Sequence, residues 1–176
     1  GSEVARRQAT LWADEASRLE VARRMYTLRM GEAMPGYDLN TMRGFEGQRV
    51  KEVYRRLAKQ FGLEWTGRRY DRSNPQADDL LNQAINHASI AARSAASVAV
   101  AVTGAVPQLG FIHEASGMAF VLDIADLFRD CFMLPVAFEA AREHQQRTDE
   151  DIERITRLMA GRRLQRDRVI PDMIGS

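Results

Sequence analysis

The sequence has almost no cysteine, little lysine and no long hydrophobic run. Cys131 is the only cysteine among 176 residues, so an internal disulfide framework is excluded and a reducing compartment is expected. The most apolar run, 95–106, is much shorter than the roughly 20 residues that a membrane span requires. The formal net charge is only +1, so no global field attracts a polyanionic partner. These absences predict a cytoplasmic, soluble protein without a membrane segment.

Arginine supplies nearly all of the positive charge, since only Lys51 and Lys59 are lysines. Arginine suits bidentate phosphate contacts, but a coding bias produces the same composition, and both interpretations stay open. Basic and aromatic residues alternate within 62–79, a pattern that suits a nucleic-acid backbone and exposed bases. Surface solvation is the alternative for this segment. Its basic and aromatic members are Trp65, Arg68, Arg69, Tyr70 and Arg72.

Helical spacing of apolar residues, without sustained alternation of period two, predicts an all-α fold. Asn40 or Thr41 is the predicted cap of the second helix. Asp149 is the predicted cap of the fifth, which is expected to end at Gly161. The predicted helices are 3–30, about 40–61, 79–102, 117–145 with a kink or break at Pro135, 149–161 and 163–174.

The stretch GFIHEASGMAFVLDIADLFRD, residues 110–130, combines a histidine with three acids in an apolar helix. At 100° per residue, Asp123, Asp126 and Asp130 fall within an arc of about 60° on one helix face. Three carboxylates stacked in this way repel one another and lose hydration. The spacing therefore predicts that a metal ion or arginines compensate their charge.

A second acid, Glu46, lies in the middle of the apolar stripe of the second helix. Gly44 and Gly47 flank it, and glycine allows another backbone or a ligand to approach closely. A salt bridge to Arg49, or to an arginine from another helix, explains the acid as well as a functional site does. Both explanations stay open from the sequence.

Glu46 together with His113, Asp123 and Asp126 forms a plausible octahedral ligand set for Mg²⁺ or Mn²⁺. Structural zinc is disfavoured because no cysteine pair exists. A carboxylate-rich divalent site near basic segments points to phosphodiester chemistry. The competing interpretation is a helical scaffold or partner-binding module whose acids are held in buried arginine networks.

Three segments carry a resemblance to a known family: RGFEGQRVKEVYRRLAKQFGLEWTGRRYD, LNQAI and GFIHEASGMAFVLDIADLFRD. They resemble the CRISPR-associated spacer-acquisition integrase and endonuclease, the first-numbered protein of that set, in the variety that accompanies Cascade-type systems. The resemblance implies that Glu46, His113 and Asp126 are the metal ligands and that Asp123 is a further acid required for activity. Asp130 matches no family role. The implied or predicted DNA contacts are Arg49, Arg68, Arg69, Tyr70, Arg72 and Arg129.

The resemblance also implies an organisation and partners. Residues 1–2 look like a cloning scar, and 3–176 are expected to be one compact, multi-helix catalytic domain of a longer protein, without the family's β-rich N-terminal domain. The expected activity is insertion of invader-derived DNA into a CRISPR array by attack of a 3′-hydroxyl on a repeat phosphodiester, with nuclease activity beside it. Expected partners are prespacer and repeat DNA, a second copy in the full-length protein, and the second-numbered CRISPR-associated protein.

Overall fold

The computed structural model describes residues 2–68, 79–147 and 149–176, and these ranges contain helices and no strand. The all-α prediction is confirmed. A five-residue π-helical turn, Arg129–Met133, joins the fifth helix to the sixth. The helices are α1 Ser2–Ala13, α2 Glu15–Met30, α3 Leu39–Phe61, α4 Leu80–Thr103, α5 Ala119–Leu127, α6 Leu134–Gln146, α7 Ile152–Arg166 and α8 Val169–Gly175.

The predicted first helix is divided at Asp14, so the prediction of one continuous helix over 3–30 is wrong. Asp14 has extended backbone angles, φ −94° and ψ 117°, and its carboxylate accepts a hydrogen bond from the backbone N–H of Ser17 at 2.8 Å. This local bond gives the backbone an alternative to continued helix and starts α2. Gly31, at φ 72°, then closes α2 in the left-handed conformation.

The caps of α3 and α7 differ from the predicted ones by a few residues. Asp38, rather than Asn40 or Thr41, caps α3, because its Oδ1 accepts from the Thr41 N–H at 2.7 Å. Asp151, rather than Asp149, caps α7 through the Glu153 N–H at 2.8 Å. In both places an aspartate just before the first turn satisfies a backbone donor that the helix itself leaves unpaired.

The predicted stop at Gly161 is wrong, because α7 continues through it to Arg166. α7 packs against α6, and Ala160, the residue before Gly161, is buried. A glycine in a helix interior costs only about 1 kcal/mol relative to alanine, so packing of this kind outweighs it. Gly161 lowers the local helix propensity, but the helix does not end there.

The predicted break in the acidic helix is confirmed but lies earlier than Pro135. α5 ends at Leu127, and the chain passes through Phe128 and the π-helical turn before Pro135 enters the first turn of α6. Proline is tolerated there because first-turn N–H groups have no intrahelical acceptor. Asp130 therefore lies in the π-helical turn, and its predicted place on one regular helix face with Asp123 and Asp126 is wrong.

The chain forms two compact units, one of residues 1–49, 93–128 and 170–176 and the other of 50–92 and 129–169. In the first unit α2 packs against α1 and α5, around fully buried side chains such as Tyr26 and Met42. In the second unit α6 packs against α7 and the π-helical turn, around Phe132 and Phe138. All of the acids discussed next, apart from Asp130, belong to the first unit. The single domain over 3–176 stays a prediction.

Candidate metal centre

Asp123, on α5, is fully buried and anchors the loop that precedes its helix. Its Oδ2 accepts the backbone N–H groups of Phe111 and Ile112 at 2.6 and 3.1 Å, and its Oδ1 accepts that of His113 at 3.0 Å. The side chain is 0% exposed, so these bonds replace the water that an ionised carboxylate would otherwise need. Asp123 is thus the structural anchor of the loop.

Gly110 lets the same loop lie against the first turn of α5. A Cβ placed on it would touch the His113 carbonyl and would lie 2.7 Å from the Ala119 Cβ, closer than packed atoms approach. From α1, the Trp12 indole N–H donates to the Gly110 carbonyl at 2.9 Å, and Gln8 donates to the Leu109 carbonyl at 2.9 Å. Because α1 and α5 hold the loop from two directions, His113 starts from a fixed backbone position.

The imidazole of His113 is oriented by Asp123. Its Nδ1 lies 2.7 Å from the Asp123 Oδ1, a carboxylate oxygen that only accepts hydrogen bonds, so the proton of the neutral ring is assigned to Nδ1. The hydrogen bond to Asp123 raises the pKa of His113; burial opposes the rise, and the negative charge of Asp126 adds to it. Nε2 lies 3.8 Å from the Asp126 Oδ2. In the neutral ring, Nε2 is therefore the nitrogen that presents a lone pair.

Glu46, on α3, is held by two residues of α2 that the sequence analysis did not identify. The Tyr26 hydroxyl donates to its Oε2 at 2.9 Å, and the Arg29 Nη1 lies 2.6 Å from its Oε1. Burial and the adjacent Glu46 raise the pKa of Tyr26, so the phenol keeps its proton and acts as donor. The expected arginine partner from another helix is therefore present, and it is Arg29.

Arg29 also connects Glu46 to Asp126. The nitrogen that contacts Glu46 lies 3.6 Å from the Asp126 Oδ2, and the arginine side chain is only 4% exposed. Its other terminal nitrogen, Nη2, is buried without a hydrogen-bond partner among the described residues. A signal for this pair was present in the sequence, because residues three apart on a helix, such as Tyr26 and Arg29, lie on the same face.

The donor atoms suit a divalent ion, although a cation of the protein lies among them. Two carboxylates and an imidazole nitrogen are ligands that Mg²⁺ and Mn²⁺ accept. Within the described ranges, no three acid, histidine or cysteine side chains are arranged so that they would hold an ion directly. The Arg29 guanidinium contacts both Glu46 and Asp126. Both Asp123 oxygens are used by the loop, so its role in such a site is to orient His113.

The other predicted contacts fall in different parts of the chain. Arg49 is half-buried on α3, and Arg129 is half-buried at the start of the π-helical turn. Arg68 donates to the side-chain oxygens of Asn82 and Asn86 on α4, at 2.9 and 2.5 Å, and so ties the end of its loop to that helix. Three predicted contacts lie outside the described residues: Arg69, Tyr70 and Arg72.

The glycines beside Glu46 have open space next to them. A Cβ on Gly44 or Gly47 would meet no atom within 4 Å. The expectation that they admit another backbone is therefore not met within the described part of the chain. Approach of a ligand to this face stays a prediction.

Comparison with known proteins identifies one family of CRISPR-associated proteins. The family model described as "CRISPR associated protein Cas1" matches residues 27–166. The chain is 39% identical to a CRISPR-associated endonuclease Cas1 of Thermus thermophilus, over 91% of this chain and 50% of that protein. It is also 39% identical to the CRISPR-associated endonuclease Cas1 of Escherichia coli, over 82% of this chain and 48% of that protein. The chain thus spans about half the length of these curated relatives.

Solved structures agree with the sequence relatives. A crystal structure described as a TtCas1–DNA complex aligns with a TM-score of 0.90 and 36% identity, covering 99% of this chain and 64% of that one. A structure of TtCas1 aligns with a TM-score of 0.84 and 35% identity, covering 96% and 62%. The fold of this chain is thus shared with CRISPR-associated proteins of known structure. The chain belongs to the Cas1 family.

No helix in the described part of the chain is both long enough and apolar enough to cross a membrane.

Proposed function

We propose that this chain is the metal-dependent catalytic part of a CRISPR-associated DNA endonuclease and integrase. The observation that carries the proposal is that Arg29 contacts both Glu46 and Asp126. The His113 Nε2 lies 3.8 Å from the same Asp126 carboxylate, and Asp123 orients the imidazole. Membership of the Cas1 family supports it, as do relatives that are named endonucleases. A relative whose structure is described as a DNA complex supports DNA as the substrate.

Glu46, Asp126 and the Nε2 of His113 would hold a Mg²⁺ or Mn²⁺ ion. Such an ion, when bound, supplies positive charge to a phosphoryl oxygen and orients the attacking hydroxyl. Asp123 keeps the proton on Nδ1 and so directs the Nε2 lone pair towards Asp126. The Tyr26 hydroxyl holds one oxygen of Glu46 and limits the orientations of that carboxylate.

Basic residues would hold the phosphate backbone, because each neutralised phosphate releases counterions and favours binding. Arg49 and Arg129, with Arg69 and Arg72, are the proposed phosphate contacts, and Tyr70 offers a ring for stacking on a base. The Arg68 guanidinium is already engaged with Asn82 and Asn86, so its proposed contribution is to hold residues 67–68 at α4.

In the complete protein, the reaction would be attack of a prespacer 3′-hydroxyl on a phosphodiester of the CRISPR repeat, which forms a new phosphodiester and releases the 3′-hydroxyl of the repeat strand. The proposed assembly contains a second copy of the chain and the second-numbered CRISPR-associated protein. The family shown for residues 27–166 and the segments quoted from the sequence support this assignment.

Calorimetric titration with Mn²⁺ tests the metal site directly. The wild-type chain is expected to bind saturably, and Asp126→Asn is expected to lose binding while keeping its helical circular dichroism. Glu52→Gln, which neutralises an exposed acid on the same helix as Glu46, is the matched control and should bind as the wild type does. Loss of binding in Glu52→Gln as well, or retained binding in Asp126→Asn, would refute the ligand assignment.

Strand transfer tests the chemistry. In the full-length protein with its partner, Glu46→Ala, His113→Ala or Asp126→Ala should each abolish Mn²⁺-dependent strand transfer. Unimpaired transfer in any two of these variants would contradict the proposal.

A non-enzymatic helical scaffold is the second candidate, and the buried Arg29–Glu46 ion pair is the observation that favours it. A scaffold of this kind would not bind Mn²⁺, and loss of a single acid would lower its melting temperature sharply because the arginine would stay buried without its partner. The same titration, combined with thermal unfolding of Glu46→Gln, separates the two functions.

A further inference from the structure

Arg29 provides a positive charge at the place where the two proposed carboxylate ligands meet. Its Nη1 lies 2.6 Å from the Glu46 Oε1 and 3.6 Å from the Asp126 Oδ2. The arginine side chain is 4% exposed, while those of Glu46 and Asp126 are 17% and 24% exposed. Water therefore reaches the acids more easily than it reaches the cation that joins them.

We propose that Arg29 is an internal counter-cation that holds Glu46 and Asp126 together when no metal is bound, and that a divalent ion must compete with it for their oxygens. This inference rests on the metal site proposed above. Arginine brings a positive charge and a planar fork of N–H donors, so Arg29 compensates the charge of both acids. The cluster would otherwise contain two neighbouring carboxylates, which repel each other.

The competition follows from the atoms involved. Mg²⁺ binds the lone pairs of carboxylate oxygens at a metal–oxygen distance of about 2.0–2.1 Å. The Glu46 Oε1 now accepts a short charge-assisted bond from Arg29, and its Oε2 accepts the Tyr26 hydroxyl. Direct ligation by Glu46 thus requires one of these two bonds to be given up or shared. Arg29 is the stronger obstacle, because it also repels the incoming cation.

The buried Nη2 of Arg29 makes it easier for the guanidinium to turn away from Glu46. Among the described residues this nitrogen has no hydrogen-bond partner, although an unmade bond of a buried charged group is costly. Because one nitrogen of the guanidinium makes no hydrogen bond to the described residues, turning away from Glu46 breaks fewer hydrogen bonds than it would if every N–H were bonded. Arg29 is accordingly a positioning residue for the acids and a competitor of the metal, rather than a catalytic residue.

Replacement of the arginine by an apolar side chain of similar length tests the inference. In metal-free buffer, Arg29→Met should lower the melting temperature by about 5–15 °C, because the two acids lose their shared cation. Adding Glu46→Gln to Arg29→Met should restore at least half of that loss, since one carboxylate no longer needs compensation. Arg29→Lys should fall between the wild type and Arg29→Met, because it keeps the charge and loses the planar fork.

Calorimetry with Mn²⁺ provides the second measurement. Arg29→Met should bind Mn²⁺ at least about tenfold more tightly than the wild type, because a competing positive charge is absent. Its melting temperature should also rise more on addition of Mn²⁺. Arg24→Met, which removes an arginine from elsewhere on the same helix, is the control and should change neither property.

The outcomes separate this inference from the proposed function. An unchanged melting temperature in metal-free Arg29→Met overturns the counter-cation. Mn²⁺ binding in the wild type that is equal or weaker in Arg29→Met overturns the competition and leaves the metal site intact. Absence of Mn²⁺ binding in both chains overturns the proposed metal site and the competition together.

Discussion

Asp123→Asn is the substitution that most directly tests how the candidate site is built. The side chain keeps its shape, but one acceptor oxygen becomes an amide group that only donates. The carboxylate now accepts three backbone N–H bonds and faces the His113 Nδ1. If the asparagine oxygen stays with Phe111 and Ile112, the new amide points at the His113 N–H, which is also a donor.

The expected cost is about 3–5 kcal/mol of unfolding free energy, the range for breaking a buried charge network by changing one partner. Hydrogen bonds to charged groups contribute about 1.5–3 kcal/mol each, so partial loss of three of them accounts for this size without full additivity. For a chain of this length that corresponds to a fall of roughly 6–20 °C in melting temperature. The helices should remain, because the anchor lies in one loop.

Urea unfolding followed by circular dichroism measures the cost, and nitrogen NMR of His113 measures the tautomer. The wild-type ring at high pH should carry its proton on Nδ1, and Asp123→Asn should shift it to Nε2, because an amide N–H in place of the carboxylate favours an Nδ1 acceptor. Glu114→Gln is the control: its side chain is 51% exposed and pairs with Arg18 at 3.5 Å, and we expect a loss of about 1 kcal/mol or less. A cost below about 1 kcal/mol for Asp123→Asn, or an unchanged tautomer, would refute the anchoring role.

Three further perturbations have defined outcomes. Gly110→Ala should lower stability by about 1–3 kcal/mol or more in urea unfolding, because its Cβ meets Ala119 at 2.7 Å, whereas Gly117→Ala, with no atom within 4 Å, should change it little. Gly47→Ala should raise stability by about 0.5–1 kcal/mol, because open space surrounds this helical glycine; weakened DNA binding in the stabilised variant, measured by fluorescence anisotropy, would reveal a ligand on that face. The raised pKa of His113 means that its protonated form adds stability in full below about pH 6.5, and this contribution is lost as pH rises through the higher pKa of the folded protein. Denaturation of the metal-free chain across that window should show the loss, and a His113→Gln chain that still shows it would contradict the assignment.

The helical class and the family were accessible from the sequence because both depend on local patterns. A period of 3.6 residues is visible within a single segment, and the helices α3 and α4 were predicted to within a few residues. The family segments around Glu46 and His113 are short and contiguous, and the comparisons confirm the family that they indicate. Capping errors at Asp38 and Asp151 arose because several polar residues near each helix start were equally suitable caps.

The composition of the candidate site was decided by tertiary structure. From the sequence, Arg49 was the nearest basic partner for Glu46, and the structure adds Arg29, because α2 brings its guanidinium to the Glu46 carboxylate. Local spacing likewise predicted that Asp130 lies on one helix face with the other two aspartates. In the structure, α5 ends before Phe128, and Asp130 lies in the π-helical turn that follows. Asp123 looked equal to Asp126 along the helix, and the tertiary structure brings the backbone N–H groups of the preceding loop to Asp123. The sequence determined which charged groups this protein carries. The packing of helices that are distant along the chain decided which of these groups neutralise, orient or repel one another. The reason is that the strength of an electrostatic interaction depends on distance in space and not on separation along the chain.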